Sequence, residues 1–227
     1  MTLSVLVLRP IEGARKTARR AEEIGLTVNI DPLFVIESMD WKAPPASDFD
    51  AVMVTSANGV QYAGAELSNY KQLPFLAVGE ATAAAARQAG FNVVETGSGG
   101  AIDLLQSLPA DRYSRILRLT GKDHVKLVPS GREITLCRVY QARALPLGAI
   151  AQKALRQGQV VLLYSVRAAK ILITEMDRLD LDRSINYVAA LSPNIAQAAG
   201  SGWKSKQIAD QPTDDALLSL AGRLCLP

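Results

Sequence analysis

The stretch FLAVGEATAAAARQAGF at residues 75–91 recurs as YVAALSPNIAQAAGSGW at residues 187–203, 112 positions later. Each copy starts on a short apolar run, turns polar, continues rich in alanine and closes on an aromatic residue. A brief apolar run bounded by polar or glycine positions fits a buried strand, and the alanines favour a helix after it. Without a gap the register runs on, laying Asp103, Leu105, Ser107 and Leu108 on Asp215, Leu217, Ser219 and Leu220. An earlier pair shows the same design. VMVTSANGV (52–60) and VLLYSVRAA (161–169) are both apolar strands that stop at a hydroxyl residue and open a helix. Two units repeating in order predict two similar α/β domains, because two copies are too few to stack as a solenoid. Chance likeness between generic α/β segments is the competing explanation.

Around these pairs the chain keeps alternating. LSVLVLRP (3–10) is a buried-strand run, and Ala14, Ala18, Ala21 and Ile24 then recur at helical spacing opposite a charged face. LTVNIDPLFVIE (26–37) resumes in extended form, broken at Asp31-Pro32, so parallel pairing with a right-handed crossover is expected. NVVETG and RILRLTG (115–121) read as further strands, and REITLCRVYQARALP (132–146) as one long extended segment. A helix at 147–157, a strand at 160–164, a helix at 167–179 and a strand at 185–191 follow. Ser192 then fits an N-cap, with Pro193 as the first helical residue. Segments 32–38 and 138–144 are natural crossings between domains. If both cross, residues 1–35 and 141–227 form one discontinuous α/β domain, and residues 36–140 form a domain inserted into it.

The bulk numbers exclude more than they assign. The 227 residues hold 25 basic and 22 acidic side chains, a net charge of +3. Nucleic acid would ask for a concentrated basic stripe, so it is not an expected partner, whereas a small anion remains compatible. No run approaches the length of a membrane span, and no signal-like segment precedes the first strand. A cytoplasmic protein without membrane contact is therefore expected. Cys137 and Cys225 make neither a disulfide framework nor a metal spacing and are expected as buried thiols.

Ligands of open parallel sheets collect beyond the carboxyl ends of the strands. Here those ends carry Arg9, then Thr55-Ser56-Ala57-Asn58, Gly79-Glu80, Thr120-Gly121-Lys122, Tyr164-Ser165-Val166-Arg167 and Leu191-Ser192. Hydroxyls at a helix start offer several donors to an oxyanion, and two facing sets would grip one polyanion. The plainer alternative is that each hydroxyl caps its own helix. His124 is the single histidine, so neither a histidine metal cluster nor a serine triad in its usual form is available. GSGGA (97–101) falls short of the dinucleotide fingerprint. Tyr140 lies in CRVYQAR on one proposed crossing, with Arg138 and Arg143 beside it, and strand alternation puts residues 138 and 140 on one face. An arginine flanking a phenol stabilises phenolate and can hold a carboxylated substrate nearby. A tyrosine packed at a hinge is the alternative.

VLVLRP (5–10), VTSANGV (54–60), LAVGEATAAAARQAGF (76–91), RVYQA (138–142) and LSPNIAQAAGSGW (191–203), in this order, resemble the uroporphyrinogen-III synthase family along the whole chain. The resemblance implies two similar parallel-sheet α/β domains joined by a two-stranded antiparallel connector, with the active site in the interdomain cleft. It implies a monomeric lyase without a cofactor. Its substrate would be the linear tetrapyrrole hydroxymethylbilane, closed with loss of water and inversion of ring D. On the matching positions, Tyr140 would donate a proton to the leaving hydroxyl. Thr55, Ser56, Asn58 and Ser165, with Ser192, would bind acetate and propionate arms. Arg9, Lys122, Arg138, Arg143 and Arg167 would complement their charge. A non-catalytic two-lobed module for a small polyanion is the alternative function.

Overall fold

The computed structural model describes residues 3–109, 111–126 and 131–225. The chain opens with β1 (Val5–Val7), α1 (Ile11–Glu23), β2 (Val28–Ile30) and β3 (Phe34–Ser38). There follow β4 (Ala51–Val54), α2 (Ala57–Gln61), β5 (Phe75–Val78), α3 (Glu80–Gln88), β6 (Val93–Gly97), α4 (Ala101–Ser107) and β7 (Arg115–Gly121). The long β8 (Glu133–Ala144) leads into α5 (Ala149–Gln157), β9 (Val160–Leu163), α6 (Val166–Arg178) and β10 (Tyr187–Ala190). The chain ends with α7 (Pro193–Ala198), β11 (Ser205–Ile208) and α8 (Asp214–Cys225). It divides into two compact units, residues 1–35 with 144–227, and residues 36–143.

The first unit holds a sheet in the order β11-β10-β9-β1-β2, with every pair parallel. Its central strands are apolar throughout and buried on both faces, as parallel strands covered by helices must be. One face packs on α1 and α8, where Val5, Val7, Leu162, Ala189, Leu217 and Leu220 meet. The expected strands and helices of this unit are present, but β11 has no counterpart in the sequence reading. Its SKQI lacks an apolar run because it lies at the sheet edge, paired on one side and largely exposed on its faces.

In the second unit the sheet runs β3-β8-β7-β4-β5-β6. The pairs from β8 to β6 are parallel. Between β3 and β8 the bonds Leu145 N–H to Leu33 C=O and Met39 N–H to Val139 C=O run in opposite chain directions, so this pair is antiparallel. Period-two alternation divides the apolar residues between two cores. Val52, Val54, Leu117 and Leu119 face one way, with Ala83 and Ala86 of α3. Ala51, Met53 and Ile116 face the other, under Leu104 and Leu105 of α4. Ala83 and Ala86 of α3 lie at 0% exposure against the sheet, which is what their small side chains permit.

Asp50, just before β4, fastens that strand to β7. Its carboxylate accepts from Ser114 N–H and Oγ, from Arg115 N–H, and from the Arg115 guanidinium at 2.8 Å. Hydrogen bonding by Arg115 first, then by Ser114, holds its pKa at about 2, below the ordinary 3.8. Folding therefore favours the anion. The resulting stability is complete above the unfolded pKa and disappears as the pH falls through about 2. Solvent reaches part of the pair, so Asp50→Asn is expected to lose about 1–2 kcal/mol at pH 7. Denaturant unfolding of both proteins along a pH series checks this. The difference should shrink towards pH 2, and a pH-independent difference would refute the electrostatic origin.

Candidate active site

At the carboxyl end of the second sheet, β4 leads through β5 to β6 in one direction, while β7 leads to β8 in the other. The order reverses between β4 and β7, where open α/β sheets bind ligands. A concavity of about 430 Å³ opens there, lined entirely by residues of this unit. Thr55 lies beyond β4, and Arg118 and Thr120 are on β7, in register with Met53 and Ile116 along the face that α4 covers lower down. Being only seven residues long, α4 leaves the upper part of that face to the pocket.

Ser56 also lines the pocket, and its hydroxyl accepts from Asn58 N–H at 3.3 Å as the N-cap of α2. Gly59 lets this short helix sit on the strand end, since a Cβ there would lie 2.6 Å from Val54 Cγ1. The plain reading of Ser56 as a cap and the reading as a site residue thus coexist.

Tyr140 reaches the same pocket through an irregularity. Thr120 pairs with Arg138, but the next residue, Gly121, pairs with Tyr140, so β8 carries one extra residue. Such a bulge breaks the alternation of faces. Val139 is buried in the α3-side core, and Tyr140 packs against that core too. The expectation that residues 138 and 140 share a face fails for this reason. Arg138 is exposed and does not line the pocket, whereas the Tyr140 ring does. Gly121 gives the ring its room: a Cβ there would stand 2.8 Å from two of its carbons. The tyrosine backbone is held by Lys122 N–H to Tyr140 C=O at 2.8 Å, while the Lys122 side chain is exposed.

The pocket also takes in polar residues that the sequence did not offer as site candidates, His124 and Arg118 among them. His124 lines it, with Nδ1 3.1 Å from the Gly121 and Lys122 carbonyls, so Nδ1 carries the proton. Arg118 lines it while only 2% exposed. Its Nη1 donates to Val125 C=O at 2.9 Å, and burial lowers its pKa from the ordinary guanidinium value. An arginine between Ile116-Leu117 and Leu119 in the strand RILRLTG was the available signal, because arginine is almost never fully buried without a partner.

The first unit has its own reversal point between β1 and β9. Beyond β1, Arg9 lies 4.2 Å over the Tyr164 ring and donates to Thr17 Oγ1 at 3.1 Å. Tyr164 donates to Asp214 at 2.5 Å, and Arg20 reaches the same carboxylate at 2.9 Å. Burial, then the bond to Asp214, pushes the Tyr164 phenol well above its ordinary pKa, so it remains a donor. Arg9 is accordingly engaged within its own unit, 3.5 Å from Asp214. Ser165 caps α6 by accepting from Ala168 N–H at 3.1 Å. Arg167 stacks over Phe34 at 5.1 Å. Ser192 is the N-cap of α7 with Pro193 following, yet its hydroxyl makes no capping bond. Arg143 is paired with Glu37 at 3.0 Å. The cysteines are free thiols, Cys225 buried but Cys137 only half so. Among the described residues no helix is long and apolar enough to cross a membrane, and no group of three metal-ligating side chains occurs.

The family model described as uroporphyrinogen-III synthase HemD matches residues 15–219. No curated protein matches the chain. Among solved structures it is similar to uroporphyrinogen-III synthetase from Helicobacter pylori. That likeness is 19% identical with a TM-score of 0.65, covering 98% of this chain and 99% of that one. It is also similar to a mutant uroporphyrinogen III synthase from the extremely thermophilic bacterium Thermus thermophilus, 16% identical with a TM-score of 0.50, covering 97% and 98%. At these identities the structures speak for the fold, while the model match speaks for the family.

Proposed function

The chain belongs to the uroporphyrinogen-III synthase family, and from that premise we propose that it closes hydroxymethylbilane to uroporphyrinogen III. The observation that carries this reading is the pocket at the β4–β7 reversal, where Thr55, Ser56, Thr120, Tyr140 and a buried cation converge. The reaction loses one water and forms a carbon–carbon bond, with no net oxidation, so it calls for no redox cofactor. Departure of the terminal hydroxyl leaves a conjugated azafulvenium electrophile. Ring D attacks it through its substituted carbon, giving a spiro intermediate that fragments and recloses inverted.

The reacting atoms belong to the substrate, and the protein has to hold the bilane bent and assist the hydroxyl. Orientation of the two ends removes most of the entropic barrier to closure. Hydroxyl and backbone donors at the strand ends would hold the carboxylate arms, and Tyr140, whose hydroxyl has no hydrogen-bond partner among the described residues, would protonate the leaving oxygen. Closure without inversion gives the type I isomer, so selectivity is a difference between barriers, about 1.4 kcal/mol for each factor of ten. In this reading the enzyme is a cytoplasmic monomer.

Incubation with freshly made hydroxymethylbilane, followed by separation of the oxidised porphyrin isomers, tests the proposal. An excess of type III over a no-protein control is expected. Type I alone from folded protein would leave the non-catalytic binding module, which family membership does not favour. Tyr140→Phe is expected to reduce type III formation about tenfold without abolishing it, below the usual general-acid contribution of about a hundredfold or more, because the pyrrole nitrogen itself expels the hydroxyl. Unchanged turnover would remove the proton-donor role.

A further inference from the structure

Arg118 has more donors than its surroundings use. Among the described residues its Nε is buried without a hydrogen-bond partner, and no carboxylate forms an ion pair with it. Among the described residues the guanidinium donates to the Val125 carbonyl, which is neutral. A guanidinium stays protonated in proteins, and a buried charge without a counter-ion is strongly unfavourable unless an anion completes it. The residue lines an open pocket whose walls also carry the Thr55, Ser56 and Thr120 hydroxyls. Nothing in the packing of β7 demands a cation at this position. The residues before and after it on the same face, Ile116 and Thr120, are uncharged and 0% and 3% exposed.

We infer that Arg118 is a carboxylate-binding residue, taking one planar monoanionic group at its guanidinium, with the pocket hydroxyls beside it. A carboxylate fits better than a phosphate for two reasons. Its two oxygens match the flat guanidinium edge. One cation also balances one negative charge, and the carboxylate of Asp123 on the pocket wall opposes a second. Resting on the synthase reading, that group is one acetate or propionate arm of the bilane, and Arg118 helps to decide which arm enters the second unit.

The test combines titration with kinetics. In ¹⁵N-labelled protein, propionate is expected to shift the Arg118 Nε–H resonance saturably, while neutral propionamide leaves it in place. Arg118→Met is expected to keep or raise the unfolding temperature, since an unpaired buried charge is replaced by an apolar chain of similar length. The same variant should raise KM for hydroxymethylbilane about tenfold or more with kcat largely retained, because a charge-assisted bond to the bound ground state is lost. Absence of a propionate shift, a shift with inorganic phosphate only, or a destabilised Met variant of unchanged KM would each overturn the assignment. If the wild type forms only type I isomer, the synthase reading fails by itself, and the propionate titration alone decides the carboxylate site.

Discussion

Asn186→Ala is expected to destabilise the first unit by about 2–3 kcal/mol, from three backbone partners left at roughly 1 kcal/mol each, the partly buried Asp182 carbonyl counting least. Asn186 is fully buried just before β10. Its Oδ1 accepts from Gln159 N–H at 2.9 Å, and its Nδ2 donates to the carbonyls of Leu155 at 2.9 Å and Asp182 at 2.8 Å. One side chain thereby ties the end of α5, the approach to β9 and the turn after α6 to a single point. Alanine leaves the Gln159 amide and the Leu155 carbonyl in the interior without it, and the partly buried Asp182 carbonyl loses its donor as well. Denaturant unfolding, followed by circular dichroism, measures the loss. Asn186→Asp keeps the acceptor for Gln159, removes both donors and buries a charge, so it should be at least as damaging. A loss below about 1 kcal/mol in the alanine variant would mean that those backbone groups find other partners.

Gly121→Ala is the variant expected to depress type III formation most, about a hundredfold, as an ångström-scale displacement of a positioned group can. The glycine does not adopt a left-handed backbone, so a methyl group is excluded by space alone: it would meet the Tyr140 ring at 2.8 Å and its hydroxyl oxygen at 3.1 Å. The neighbour is a flat ring fixed by the bulge, so the ring must leave the pocket. The loss should exceed that of Tyr140→Phe, which removes a proton but leaves the ring. A double-mutant cycle checks the cause. In a Tyr140→Ala background the ring is gone, and adding Gly121→Ala should change turnover little. An equal loss in both backgrounds would mean that Gly121 acts through the β7–β8 pairing itself. Should the wild type form no type III isomer, the same cycle can be read from unfolding free energies, where the clash also appears.

Much of the candidate pocket lay open in the sequence as positions, less so as contacts. VMVTSANGV marked the end of β4, and Thr55 and Ser56 do line the second unit's pocket. RVYQA marked β8, and Tyr140 lines it as well. Their neighbours were harder to read. Alternation pairs Arg138 with Tyr140 on one face, but the bulge opposite Gly121 depends on how β8 meets β7, which no local pattern in either strand encodes. Arg9 reads as a spare cation after β1. Only the fold brings Asp214, more than two hundred residues later, to its guanidinium.

By itself the sequence determined what depends on neighbours along the chain. Apolar runs of strand length, alanine-rich helices, hydroxyl caps and the repeated strand-to-helix units carry the two parallel sheets, since period and propensity are local properties. The tertiary structure alone decided which polar groups are withdrawn from water and what they meet there. The burial of Arg118 beneath an uncovered stretch of sheet, the three bonds of Asn186 and the seat of the Tyr140 ring against Gly121 are set by segments distant in sequence. The free energy of a buried donor, charge or ring depends on its surroundings in space, and those exist only once the chain has folded.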